Sequence, residues 1–148
     1  MPARVEIRPF LRRHLDRILV IEHASFPREP YPRELFLELL EECAGWFFVA
    51  RRARRIVGYS VTAPAKKRAE IVSLAVLPKH RRSGIATALV RYTLARLRRA
   101  GVHSVGLTVR TDNLEAIRLY RRLGFRSFRR IARYYEDCSD GLEMRMRL

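Results

Sequence analysis

Residues 70–90, Glu70-Ile71-Val72-Ser73-Leu74-Ala75-Val76-Leu77-Pro78-Lys79-His80-Arg81-Arg82-Ser83-Gly84-Ile85-Ala86-Thr87-Ala88-Leu89-Val90, set an apolar run, a basic loop, a glycine and an amphipathic run in direct succession. The apolar run predicts a strand over 71–77 that stops at Pro78, which has no N–H with which to continue a ladder. From Gly84 onward, Ile85, Leu89, Thr93 and Leu97 recur at helical spacing, so a helix starts at the loop. The first N–H groups of a helix have no internal partner and carry the positive end of its dipole, which stabilises an anion there. Gly84 leaves room for close approach, Ser83 offers a hydroxyl, and Arg81 and Arg82 offer charge-assisted bonds to phosphate oxygens. The stretch reads as a phosphate cradle. It is neither a dinucleotide G-x-G-x-x-G turn nor a Walker A loop, since the second glycine and the Gly-Lys-Ser/Thr ending are both missing.

Outward from this segment, the pattern is that of one α/β domain of 148 residues, long enough to bury about two-thirds of its unfolded surface. Val5 to Ile7 alternates like an edge strand, and apolar residues at 11, 15, 18, 19 and 21 predict a helix over Phe10 to Ile21. Three prolines between Phe26 and Pro32 forbid regular structure and make a stiff loop, after which a helix runs to about Glu42. Trp46 to Arg51 and Ile56 to Ala63 form a hairpin joined by an arginine-rich turn. Gly101 ends the helix of the cradle. Val105 to Val109 is a strand, Asn113 to Leu123 a helix stopped by Gly124, and two strands near 125–135 and 142–147 close a mixed sheet.

The chain carries 31 Lys and Arg against 15 Asp and Glu, a net charge of +16, and all its basic residues except Lys66, Lys67 and Lys79 are arginines. Such an excess favours an anionic partner: a nucleotide cofactor, RNA, a ribosome surface or an acidic peptide. The arginines are scattered through most elements, which reads as a generally basic surface and leaves nucleic acid as a partner through charge alone. Arginines interrupt every apolar run near the start, so no membrane partner and a cytoplasmic setting are expected. Cys43 and Cys138 are far apart with no C-x-x-C pair and no Cys/His cluster, so two reduced thiols and no metal are expected.

Read as R-x-x-G-x-A after a strand ending in Val-x-Pro, the opening stretch resembles motif A of the GNAT family of acetyl-CoA-dependent N-acetyltransferases. The likeness extends through Leu107-Thr108-Val109-Arg110, Asn113 and Leu119-Tyr120-Arg121-Arg122-Leu123-Gly124-Phe125, and more loosely to Phe26-Pro27 and to Tyr134-Tyr135 before Asp140-Gly141. These outer segments are similar to the RimI-like and archaeal-type protein N-terminal acetyltransferases. The resemblance implies a single GNAT domain over residues 1–148, with a mixed, mostly antiparallel sheet of about seven strands flanked by about four helices. Coenzyme A or acetyl-CoA is the implied cofactor, with Leu74, Ala75 and Val76 along the pantetheine arm and the pyrophosphate at Arg82, Ser83, Gly84, Ile85, Ala86 and Thr87 beside Arg81. A backbone N–H near Val76 is the implied oxyanion donor.

By pattern alone Tyr120 is a core tyrosine; by resemblance it is the general acid for the coenzyme A sulfur. Asn113 is a helix N-cap by position and a cofactor or substrate contact by resemblance. Where RimI-like enzymes carry a glutamate base, this chain has Thr108, which cannot accept a proton at neutral pH. Glu29 and Glu70 match positions at which other branches of the superfamily place a base, and by residue type alone they are solvated charges. His80 and His103 are weaker candidates. Phe26, Pro27 and Tyr31 on one side, and Tyr134 with Tyr135 on the other, would wall a peptide slot, or else pack as core and rim aromatics. A peptide α-amine, with a pKa of about 7.8, is roughly one-third neutral at pH 7.5, whereas a lysine amine is about 0.1% neutral, a gap of about 3.5 kcal/mol. A site without an obvious base therefore suits the α-amine of a peptide or protein N-terminus, ribosomal proteins included. Two other readings stand beside this one. An acetyltransferase of small amines or lysine side chains should cap the slot at Tyr135-Glu136-Asp137, and a non-catalytic RNA- or ribosome-binding module should have an obstructed cleft. Both a monomer and a homodimer fit the sequence.

Overall fold

A computed structural model describes residues 4–148. The elements follow the order β1 (Val5–Pro9), a 3-10 turn (Arg12–His14), α1 (Leu15–Ser25), α2 (Arg33–Glu42), β2 (Phe47–Arg52), β3 (Arg55–Ala65), β4 (Arg68–Val76), a second 3-10 turn (Pro78–His80), α3 (Ile85–Arg99), β5 (Ser104–Arg110), α4 (Leu114–Leu123), β6 (Arg126–Ile131) and β7 (Gly141–Arg147). The seven strands form one sheet in the order β1-β2-β3-β4-β5-β7-β6, and β4–β5 is its one parallel pair. The α/β architecture and the strand and helix numbers agree with the sequence reading.

Helices cover both faces of the sheet. On one face, Leu15, Ile18 and Ile21 of α1 and Phe36 and Leu39 of α2 pack on Phe47, Val49, Tyr59 and Val61. On the other, α3 packs Ile85 and Leu89 against Phe48, Ala50 and Val57, and joins α4 over Val105, Leu107 and Val109. Successive residues of β2 therefore point to opposite cores, which is why 47–50 is an unbroken apolar run and not an alternating one. β5 alternates instead, because its second face, bearing Gly106 and Thr108, is only half covered.

α1 differs from the expectation. It begins at Leu15 after the 3-10 turn, and Leu11 is exposed. Its buried face is Leu15, Ile18, Ile21 and Glu22, so a carboxylate occupies a position of the inward stripe.

β4 pairs with β5 only through Arg68↔Ser104, Ala69↔Val105 and Glu70↔Gly106. Two residues beyond, Val72 is an extra residue in β4: Val61 faces Ser73 while Thr62 faces Ile71. Such a bulge bends its strand and increases the local twist. β4 stays on β3 and leaves β5, so the sheet splits past Glu70. Replacing Leu97, fully buried on the inner face of α3, with Ala should cost about 2–5 kcal/mol of unfolding free energy in urea. Val20→Ala, on the exposed face of α1, should stay within about 0.5 kcal/mol.

Candidate active site

The split between β4 and β5 forms a cleft of about 760 Å³. Its lining comes from both faces of the sheet: Glu22, Phe26, Pro27, Glu29 and Tyr31 from α1 and the loop after it, Ala116 and Tyr120 from α4, Glu70 to Leu74 from β4, Leu107 to Arg110 from β5, and Tyr134 to Glu136 from the β6–β7 connection. The cleft thus passes through the sheet. Phe26, Pro27, Tyr31 and Tyr134, far apart in sequence, converge on it.

The cradle lies where β4 ends. Arg82 and Gly84 both adopt left-handed backbone, with φ of 61° and 83°, and successive turns of this kind gather N–H groups into an anion-binding hollow. Gly84 is the N-cap of α3 and provides no side-chain cap, which leaves the first-turn donors of Ile85, Ala86 and Thr87 to a ligand. A Cβ on Gly84 would meet no atom within 4 Å, so the ground above the helix start is open. Two side chains have other partners than the sequence suggested. Ser83 donates its hydroxyl to the His80 carbonyl. Arg81 folds back, donating Nε–H to the Val76 carbonyl at 3.0 Å and Nη2 to Ser25 Oγ at 3.3 Å, and so ties the end of β4 to the end of α1. Arg82 is exposed at the mouth of the hollow. The strand edge of 71–76 that faces β5 has no strand beside it, as an added extended chain requires. This donor set fits a nucleotide pyrophosphate with an extended arm.

Tyr120 is a core residue, packed edge-on to Phe125 at 5.6 Å, and it also lines the cleft wall. Burial first, and the neighbouring Tyr135 second, push its pKa well above the ordinary phenol value. It therefore carries its proton at any working pH. Asn113 caps α4, its Oδ1 accepting from the Ala116 N–H at 3.2 Å.

The two loops that wall the slot meet. Glu29 Oε1 accepts the Asp137 N–H at 3.1 Å and pairs with Arg110 Nη2 at 3.4 Å. Arg110 also binds Asp137 at 3.0 Å and lies over the Tyr135 ring at 4.1 Å, while Arg28 reaches Asp112 and Asp137. Hydrogen bonds from Ser139, then Arg110, hold Asp137 below the usual carboxylate range, and burial first of all pushes Tyr135 up to about 12. Glu70 is exposed at the vertex of the split, and its side chain appears in no hydrogen bond or ion pair among the described residues. Thr108 lines the cleft.

The sequence reading placed Tyr135 at the slot and missed Arg110, Tyr59 and Glu22. For Glu22 a signal existed: it stands at i+4 from Ile18 and i+7 from Leu15, on the apolar stripe.

The description of the Acetyltransferase (GNAT) family matches residues 12–125 of this chain. The chain belongs to the GNAT acetyltransferase family. It is 34% identical to an N-alpha-acetyltransferase of Sulfurisphaera tokodaii over 143 residues, covering 88% of this chain and 85% of that one. It is 33% identical over 89 residues, 60% of each chain, to the ribosomal protein bS18 alanine N-acetyltransferase of Escherichia coli. The crystal structure of Ard1 from Thermoplasma volcanium superposes with a TM-score of 0.93 at 32% identity, covering 97% of both chains. GNAT acetyltransferases use acetyl-CoA.

Gly84→Leu should lower coenzyme A affinity at least about 10-fold in calorimetry, since a branched side chain fills the open ground over the helix start. The left-handed backbone there should cost the folded protein about 1–2 kcal/mol. Unchanged affinity in a folded variant would move the cradle elsewhere.

Proposed function

We propose that this acetyltransferase transfers the acetyl group to the α-amine of a peptide or protein N-terminus, by direct attack with both substrates held in the cleft. The observation that carries the reading is that the cleft traverses the sheet. A cofactor anchored at α3 and a peptide lying between the 26–31 loop and the β6–β7 connection approach from different sides and meet between the parted strands. The two relatives named for N-terminal acetylation support the substrate class, and the E. coli relative supports ribosomal proteins among the substrates. The same reading puts the enzyme in the cytoplasm, where nascent chains present their N-termini. No helix among the described residues is long and apolar enough to cross a membrane. The open cleft argues against a non-catalytic module.

Bound acetyl-CoA supplies the activated acetyl thioester. The chain supplies the rest. Leu74, Ala75 and Val76 offer main-chain donors and acceptors along the open edge of β4, and the N–H near Val76 is the donor we assign to the developing oxyanion. Tyr120, held protonated by burial, is the acid for the leaving thiolate. Phe26, Pro27, Tyr31 and Tyr134 hold the first residues of the peptide. Glu70 and Glu29 are the carboxylates on the water side of the amine. Glu70 is the freer of the two, because Glu29 is held by Arg110 and the Asp137 N–H.

The substrate class is tested by incubating peptides of different first residues, each with an internal lysine, with acetyl-CoA and locating the acetyl group by mass spectrometry. Acetylation at the α-amine is expected; acetylation confined to lysine would sink the reading. Tyr120→Phe should lower kcat about 10- to 1,000-fold with little change in cofactor affinity. Because the Tyr120 pKa lies above the ordinary phenol value, no loss of rate between pH 6.5 and 9 should trace to its ionisation.

A further inference from the structure

Glu22 is the one acidic side chain fully buried among the described residues, and nothing above uses it. One of its carboxylate oxygens accepts the Tyr31 backbone N–H at 2.8 Å, and the other accepts the phenol of Tyr59. Tyr59, fully buried on β3, lies 2.8 Å from Ser73 Oγ on β4. The direction of these bonds follows from donor inventory. An ionised carboxylate only accepts, so the single Tyr59 proton points to Glu22, and Ser73 must donate to the Tyr59 oxygen. The lone pairs of Ser73 Oγ are left without a donor, and Ser73 lines the cleft at the bulge where β4 leaves β5. A line of hydrogen bonds therefore runs from the cleft wall to an interior carboxylate.

We propose that Ser73, Tyr59 and Glu22 form the path by which the substrate ammonium loses its proton, a role that rests on the reading of the protein as an amine acetyltransferase. The ammonium N–H bond breaks and its electron pair stays on nitrogen as the attacking lone pair. The proton passes to Ser73 Oγ as the Ser73 proton moves to Tyr59 Oη and the Tyr59 proton moves to a Glu22 oxygen. Serine and phenol are regenerated, and Glu22 ends as a neutral acid. Ammonium and carboxylate become amine and acid, a neutralisation that exclusion of water favours. Once the product leaves, the reverse shuttle returns the proton to water in the open cleft.

The surroundings suit an acceptor. Burial, the largest influence, pushes the Glu22 pKa above the usual carboxylate range; the Tyr31 N–H, the Tyr59 hydroxyl and His23 on the same helix pull it down. Phe36 of α2 adds an apolar neighbour on the Tyr59 ring. Glu70 and Tyr134 face the same loop through Tyr31, and Arg81 reaches Ser25 one turn along α1. The path also accounts for Thr108: with no carboxylate on β5, the acceptor lies one layer inward, on α1.

The test is the pH profile of kcat/KM from pH 6.5 to 9 for peptides beginning with Ser, Ala or Met, in the wild type, Ser73→Ala, Tyr59→Phe and Glu22→Gln. Ser73→Ala should lose about 10- to 100-fold at pH 6.5, with the loss closing toward pH 9 as the α-amine, with a pKa of about 7.8, deprotonates in solution. Coenzyme A affinity and melting temperature should hold in Ser73→Ala, which carries the test if the two buried variants fold poorly. A loss of the same size at every pH, or none, overturns the relay. A second readout needs no turnover. Adding peptide at pH 6.5 to enzyme loaded with coenzyme A should raise the infrared band of a protonated carboxyl, absent in Glu22→Gln; no rise overturns the relay. If the wild type acetylates only lysine or small amines, the N-terminal reading fails, and the same profiles on that amine still decide the relay.

Discussion

The parallel ladder between β4 and β5 ends after the Glu70↔Gly106 rung, and the bulge at Val72 turns β4 away from its neighbour. Continuous pairing would have left no cleft, no free strand edge for an extended cofactor arm and no opening from one face of the sheet to the other. The sheet survives the split because β4 remains on β3 and β5 remains on β7, each by a long antiparallel ladder. α3 and α4 share one core across the gap, with Ile71 of β4 and Val105, Leu107 and Val109 of β5 beneath them. The apolar burial that holds the two halves together on that side lets the polar lining on the other side remain open to substrates.

Around the opening, charge serves position more than stability. Arg110 binds Glu29, Asp137 and the Tyr135 ring, and thereby ties the loop after α1 to the loop after β6. These pairs are half-buried, so the cost of removing the charges from water offsets much of their attraction. Their effect here is to set the distance between the two walls of the slot. Arg81 acts likewise through neutral acceptors, linking the last residue of β4 to the end of α1 beside the phosphate hollow. The overall excess of arginine adds a field that favours anionic ligands without choosing one.

Some of this was legible from particular residues. Pro78, Gly84 and the spacing of Ile85, Leu89 and Leu97 locate the strand end, the hollow and α3, because proline and glycine act through the local backbone. The unbroken run at 47–50 is visible as apolar, while the two cores it serves are not. α1 was placed too early because Leu11 continues the apolar spacing, although the chain there is only a 3-10 turn and Leu11 faces solvent. The hydroxyl of Ser83 and the guanidinium of Arg81 are phosphate donors by type, yet each has a protein acceptor within reach.

By itself the sequence determined the order and kind of the elements, the glycine turn at the start of α3 and the helix cap at Asn113, since each depends on residue type and short spacing. Only the tertiary structure decided the cleft and its chemistry. Tyr120 is core and wall at once because α4 lies over the split, and Glu29 is engaged because Arg110 and the Asp137 N–H arrive from other elements. Glu22 is a buried acceptor because Tyr59 and the Tyr31 N–H replace the hydration its charge would otherwise require. Those partners lie 9 and 37 residues away in the chain, a separation no local pattern encodes.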